Sequence, residues 1–190
     1  MEHVYTYINP VVPKDVDKAC QVLEKGGTLA YPTDMNWAMG CDPRNGKALE
    51  RLARLKPEQK KSHPYSILCA DISMASEIAV IENNAYRLLR KVWPGPYTII
   101  LPASRNLPRH LKTKREVVGV RIPQSELLQA IVSTYGSPIA TTSVPPIQDP
   151  YSETKEERPP RFGFEVVETF GHALDLVLDL SEEVTGEEST

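Results

Sequence analysis

Gly26-Gly27-Thr28-Leu29-Ala30-Tyr31-Pro32-Thr33-Asp34 joins an amphipathic helix to a short buried strand and then to an abrupt polar stop. Thr28 to Tyr31 is apolar and β-prone, with glycines before it and proline after, so it reads as a strand. Pro32 has no amide hydrogen to give to a ladder and ends it. Thr33 and Asp34 therefore lie just past a strand end, the edge of an open α/β sheet where ligand crevices form. Asp34 has two readings: a carboxylate in the crevice, or a turn residue accepting from its own backbone.

Upstream, residues 14–25 carry Val16, Ala19, Val22 and Leu23 at helical spacing, with Gly26 as the stop. Downstream, Asn36-Trp37-Ala38-Met39-Gly40-Cys41 is an apolar passage expected to fold over the crevice mouth. Trp37 reads either as a core aromatic or as a ring that stacks on a purine. Asp42-Pro43 has the form of a helix start, and Ala48, Leu49, Leu52 and Leu55 mark the buried stripe of a helix ending at Lys56-Pro57. A polar loop over 60–64 leads to a buried strand over 65–69, and a helix over 84–93 stops at Pro94-Gly95-Pro96. Strands are predicted over 97–101, 117–121 and 138–141, with a helix over 127–136. Residues 148–161 read as a long exposed loop, 164–170 as a short helix and 174–178 as a closing strand. This order gives an α/β (α+β) class: one domain, a twisted mixed sheet flanked by helices.

A chain of 190 residues with 41% hydrophobic content can bury such a core. It carries neither a membrane-length apolar run nor a signal-peptide pattern at Met1-Glu2-His3-Val4-Tyr5, so the expected location is the cytoplasm. Cys20, Cys41 and Cys69 and the four histidines are scattered, and no protein-bound metal is expected. The net charge of -3 is unevenly spread. Residues 44–61 hold seven bases against two acids, and residues 105–115 hold five bases and no acid. Two such segments can present a positive concave face to a phosphate-bearing ligand, because local potential follows position and not the sum.

The predicted strand ends collect Thr33, Asp34, Asn36, Lys56, Lys60, Lys61, Thr98, Arg121, Thr142 and Ser143. Hydroxyls, an amide and cations, without a nucleophile–base pair or a carboxylate pair, describe a site that positions an anion. Neither G-x-x-x-x-G-K-[ST] nor G-x-G-x-x-G occurs.

Five segments in register carry a resemblance: Gly27 to Asp34, Lys56, Trp93-Pro94-Gly95-Pro96-Tyr97-Thr98, Gly119-Val120-Arg121-Ile122-Pro123, and Pro138-Ile139-Ala140-Thr141-Thr142-Ser143. Together they resemble the YrdC/YciO family over residues 12–180, leaving 181–190 as an acidic C-terminal tail. The resemblance implies a twisted sheet with a positively charged concave face. For the YrdC branch it implies threonylcarbamoyl-AMP synthase activity, in which ATP, L-threonine and bicarbonate give threonylcarbamoyl-adenylate and pyrophosphate for tRNA modification. It implies that Thr33 helps hold the amino acid and that Arg121 pairs with a substrate carboxylate or phosphate; Asn36 and Trp37, next along the chain, are expected to bind substrate with them. Lys56, Lys60, Lys61, Thr142 and Ser143 then bind the nucleotide, Lys56 being the catalytic candidate, and magnesium comes with ATP.

Three departures point within the family. Met35-Asn36-Trp37-Ala38-Met39 stands where the synthases carry T-V-Y-G-L, and Glu58 follows Lys56 where their K-x-R has arginine. Val144-Pro145 follows Ser143, so the asparagine of T-S-x-N is a proline with no side-chain hydrogen bond to offer. These changes resemble the YciO-like branch. The competing expectation is a binding protein of the same fold for double-stranded RNA or tRNA, without synthase chemistry.

Overall fold

The computed structural model describes residues 1–7, 9–56, 65–149, 152, 154 and 156–184. Helix α1 (Pro13–Glu24) has proline in its first turn, where a missing amide hydrogen costs nothing. It hands the chain through Gly26, at φ 74°, to strand β2 (Thr28–Pro32). A left-handed residue at that corner favours glycine.

β2 turns back through residues 33–36 into antiparallel β3 (Trp37–Cys41). The passage expected to cover the crevice is thus a strand inside the sheet. β2 and β3 are buried along their whole length. A strand covered on both faces needs no polar side, so it shows no alternation.

From β3 the sheet continues through β7 (Ile139–Ser143), β4 (Ser66–Leu68), β6 (Val117–Arg121) and the edge strand β5 (Ile99–Pro102). β7 is antiparallel to both neighbours, β4 and β6 are parallel, and β5 runs antiparallel to β6. On the other side of β2 lies β10 (Leu176–Asp179), parallel to β2 and to the edge strand β1 (Glu2–Tyr5). β1 belongs to the sheet although it precedes the domain start expected at residue 12. Where only a loop was expected, β8 (Ile147–Gln148) pairs with β9 (Glu157–Arg158).

Helices α1 and α5 (Glu126–Tyr135) cover one face of the sheet, with Leu23, Leu29, Tyr31 and Leu128 between them. The other face packs α2 (Gly46–Ala53), α3 (Ile72–Ile78), α4 (Asn83–Val92) and α6 (Gly163–Phe170) around Trp37, Met39 and Val120. α2 starts later than Asp42-Pro43 suggested, capped by Asn45, whose Oδ1 accepts from the Ala48 amide at 3.1 Å. Asp42 is already engaged by Arg44 Nε and Nη2, at 3.0 and 2.6 Å, and by the Tyr135 hydroxyl at 2.5 Å. α3 was not anticipated from sequence; its signal is the Asp71 carboxylate, which accepts from the Met74 amide at 2.7 Å. Among the described residues no helix is long and apolar enough to cross a membrane.

Gly40 leaves the space in β3 that the Tyr31 ring needs, since a Cβ there would collide with the Tyr31 hydroxyl. That hydroxyl donates to Thr141 Oγ1 at 2.9 Å. Gly40→Ala is expected to lower the free energy of urea unfolding by about 1–3 kcal/mol through overpacking, and Leu128→Ala by about 2–5 kcal/mol through a cavity. Wild-type stability in Gly40→Ala would contradict the close approach.

Candidate functional site

Thr33 closes the turn between β2 and β3. Its hydroxyl donates to the Asn36 carbonyl at 2.8 Å and accepts from the Met35 and Asn36 amides at 3.1 and 3.0 Å. One hydrogen and two lone pairs are all a hydroxyl has. Thr33 therefore shapes the turn, and Asn36 contributes its backbone. Asp34 rides on this turn and pairs through Oδ1 with Arg121 Nη2.

Arg121 ends β6, and its side chain is 7% exposed. Burial pulls the guanidinium down from its ordinary value, while Asp34 and Tyr31 act the other way. It stays charged, because an arginine does not deprotonate in a protein. Among the described residues nothing accepts from its Nε.

Lys56, just past α2, is buried, and its Nζ donates to Thr142 Oγ1 at 3.2 Å and to Ser143 Oγ at 2.6 Å. Those hydroxyls end β7, beside the turn: Ser143 pairs with Ala38, and the Val144 amide donates to the Trp37 carbonyl at 2.9 Å. Two contact clusters result: Asp34 with Arg121 on the turn that Thr33 and Asn36 close, and Lys56 with Thr142 and Ser143 at the end of β7, beside the strand that the turn leads into. An ammonium among hydroxyls and a buried guanidinium suit an anionic ligand.

Of the two readings of Trp37 the structure takes the core one. The side chain is 1% exposed, and its indole N–H donates to the Arg161 carbonyl at 3.3 Å. Lys60, Lys61 and Glu58 lie outside the described residues. Arg44 and Lys47 stand at the opposite end of α2 from Lys56, where with His110 they line a groove that also holds Glu24, Asp42 and Glu50. Arg51 is used internally, its Nη2 on Asp175 and Thr28 Oγ1. Charge sign was legible in sequence, but which way each helix face turned was not.

Glu165 supports the segment that holds Trp37. It accepts from the Arg161 and Phe162 amides at 2.7 and 3.1 Å and from Arg158 Nη2 at 2.6 Å. Burial alone would raise this carboxyl, but these bonds outweigh it and hold it below the usual carboxylate range.

A family model described as "Telomere recombination", covering Sua5, YciO and YrdC, matches residues 21–190. YciO of Escherichia coli K12 is 34% identical over 158 residues, 82% of this chain and 75% of that one. The crystal structure of E. coli YciO superposes with a TM-score of 0.83 at 27% identity, covering 100% of this chain and 87% of that one. The threonylcarbamoyl-AMP synthase of Halorhodospira halophila is 32% identical over 166 residues, 87% of this chain and 83% of that one. P. abyssi Sua5, complexed with L-threonine, shares the fold with a TM-score of 0.83 at 24% identity, over 100% of this chain and 53% of that one.

The depressed Glu165 carboxyl sets a pH dependence. Its contribution to stability is complete above the unfolded carboxylate value of about 4.3 and is lost as pH falls through the lower folded value. Acid unfolding followed by circular dichroism is expected to show a shallower loss below pH ~4 in Glu165→Gln than in the wild type, from a lower starting stability. Parallel acid profiles for the two proteins would refute this.

Proposed function

The chain belongs to the Sua5/YciO/YrdC family, and on that premise we propose that it condenses L-threonine, bicarbonate and ATP into threonylcarbamoyl-adenylate, releasing pyrophosphate. The observation that carries the reading is the bond from Lys56 to Ser143 across 87 positions of sequence. It joins the lysine matched to the family's K-x-R motif with the serine matched to T-S-x-N, and a cation beside hydroxyl donors is the chemistry that a triphosphate needs. The names of the H. halophila synthase and of the threonine-bound Sua5 support the choice of substrates.

In this reaction the threonine amine and bicarbonate form a carbamate with loss of water. A carbamate oxygen then attacks the α-phosphorus of ATP, and the bond to pyrophosphate breaks. Lys56 neutralises phosphate charge, which rises on the leaving group as that bond breaks. Arg121 receives the α-carboxylate of threonine through its planar fork. Thr33 acts by holding the turn in shape, since its hydroxyl is committed to Asn36 and Met35. Magnesium enters on the nucleotide. Pro145 leaves the nucleotide one side-chain hydrogen bond short of the synthase pattern, so ATP is held more loosely.

Pyrophosphate release measured with each substrate omitted in turn tests the proposal. Release is expected to need all three substrates and to fall by about a hundredfold or more in Lys56→Ala. Pro145→Asn is expected to lower the KM for ATP by up to about tenfold, the worth of one good hydrogen bond. No release from any combination, together with RNA binding that weakens steeply with salt, would overturn the synthase reading in favour of a binding protein.

A further inference from the structure

The guanidinium of an arginine offers Nε and Nη2 side by side as a fork for the two oxygens of one carboxylate. At two other places in this protein a carboxylate makes a two-point contact with a guanidinium group. Arg44 gives Nε and Nη2 to the two oxygens of Asp42 at 3.0 and 2.6 Å, and Arg158 gives Nη1 and Nη2 to Glu165 at 3.3 and 2.6 Å. Arg121 differs. Asp34 takes only Nη2, through Oδ1, and Nε is buried with no acceptor among the described residues. Arg51 also has an unpartnered Nε, but its Nη2 serves both Asp175 and Thr28, and its side chain is 39% exposed against 7% for Arg121.

A buried guanidinium needs a counter-charge, and an unfilled donor beside it is costly. Asp34 supplies the charge without filling the fork. It sits on a four-residue turn closed by Thr33, and its side chain is 21% exposed. Its partner is therefore held by a strand while Asp34 itself stands on a turn at the surface. A ligand carboxylate that filled both Nε and Nη2 would gain the bond that Asp34 does not make and leave the aspartate to water.

We propose that Asp34 is a specificity-determining residue: it occupies the Arg121 fork until a ligand carboxylate displaces it, so that only ligands able to fill both donors enter. The assignment of threonine as that ligand rests on the function proposed above; the exchange on Arg121 does not. Asp34 also keeps the buried charge paired between turnovers, and it raises the threshold for anions that bond at one point.

The test measures binding of L-threonine, of propionate and of L-threoninol, which lacks the carboxylate, to the wild type, Asp34→Asn and Asp34→Ala. The NMR resonance of Arg121 Nε–H serves as the reporter, because Asp34 does not touch that atom and a two-point carboxylate does. Both variants are expected to bind L-threonine and propionate about tenfold tighter or more, with a shift at Nε–H and no change for L-threoninol. Unchanged or weaker propionate binding overturns the exchange. Equal tightening of L-threoninol also overturns it, since that reports a general opening of the site. If threonine weakens while propionate is unchanged, Asp34 holds the ligand ammonium and the proposal fails. If propionate tightens but threonine binds no form, the exchange stands and the choice of threonine falls.

Discussion

A strand covered on both faces leaves no room for a side chain that wants water, and β3 is covered along its whole length. Everything near the site is arranged around that constraint. Trp37, which opens β3, goes into the core, and its one polar atom is satisfied by a backbone carbonyl from the segment before α6. Gly40 yields its space to the Tyr31 ring. With the strand itself closed to ligands, chemistry is pushed to its rim: the turn before it, the end of β7 beside it, and the cations that reach that rim from α2 and β6.

Much of this was legible in the residues. α1, β2, β6, α5 and β7 have strong local signals, namely helical spacing, β-branched runs, and glycine or proline at the ends. β3 was misread because a doubly buried strand has no alternation to show, and a short apolar run with an amide and an indole at its head looks like a cover. β1 was missed because its first three residues, Glu2, His3 and Val4, have no apolar periodicity, and its place depends on β10. Asp42 looked like a cap by composition, but Arg44 and Tyr135 claim it, and that competition lies in side-chain geometry and not in spacing.

The same division holds at the site. The residue types that could meet an anion could be named from the chain, and five of them, Thr33, Lys56, Arg121, Thr142 and Ser143, fall in two contact clusters, one on the β2–β3 turn and one at the end of β7. Their assignments within it could not be named. Thr33 spends its hydroxyl on its own turn, and Asp34 reaches across 87 positions to Arg121 instead of closing on its neighbours. The basic face of α2 was visible as composition, yet the helix divides it. Lys56 goes to one end, Arg44 and Lys47 to the other, and Arg51 inward to Asp175. Side-chain direction on a helix follows from which stripe is buried, and that is settled only by what packs against it.

The placement of β10 bears on how the chain acquires its shape while it is being made. β1 has as its neighbour in the sheet β10, and His3 meets Asp179 across 176 positions, so β1 cannot pair until that distant strand has been made. β2 likewise lacks its outer neighbour until that strand arrives. Closing so long a loop is slow but adds little extra cost for each added residue. The middle of the sheet, from β3 to β5, contains its own pairings and can assemble during synthesis. The amino-terminal strand must wait, an unpaired edge of Val4, Tyr5 and their backbone groups, until β10 emerges to receive it.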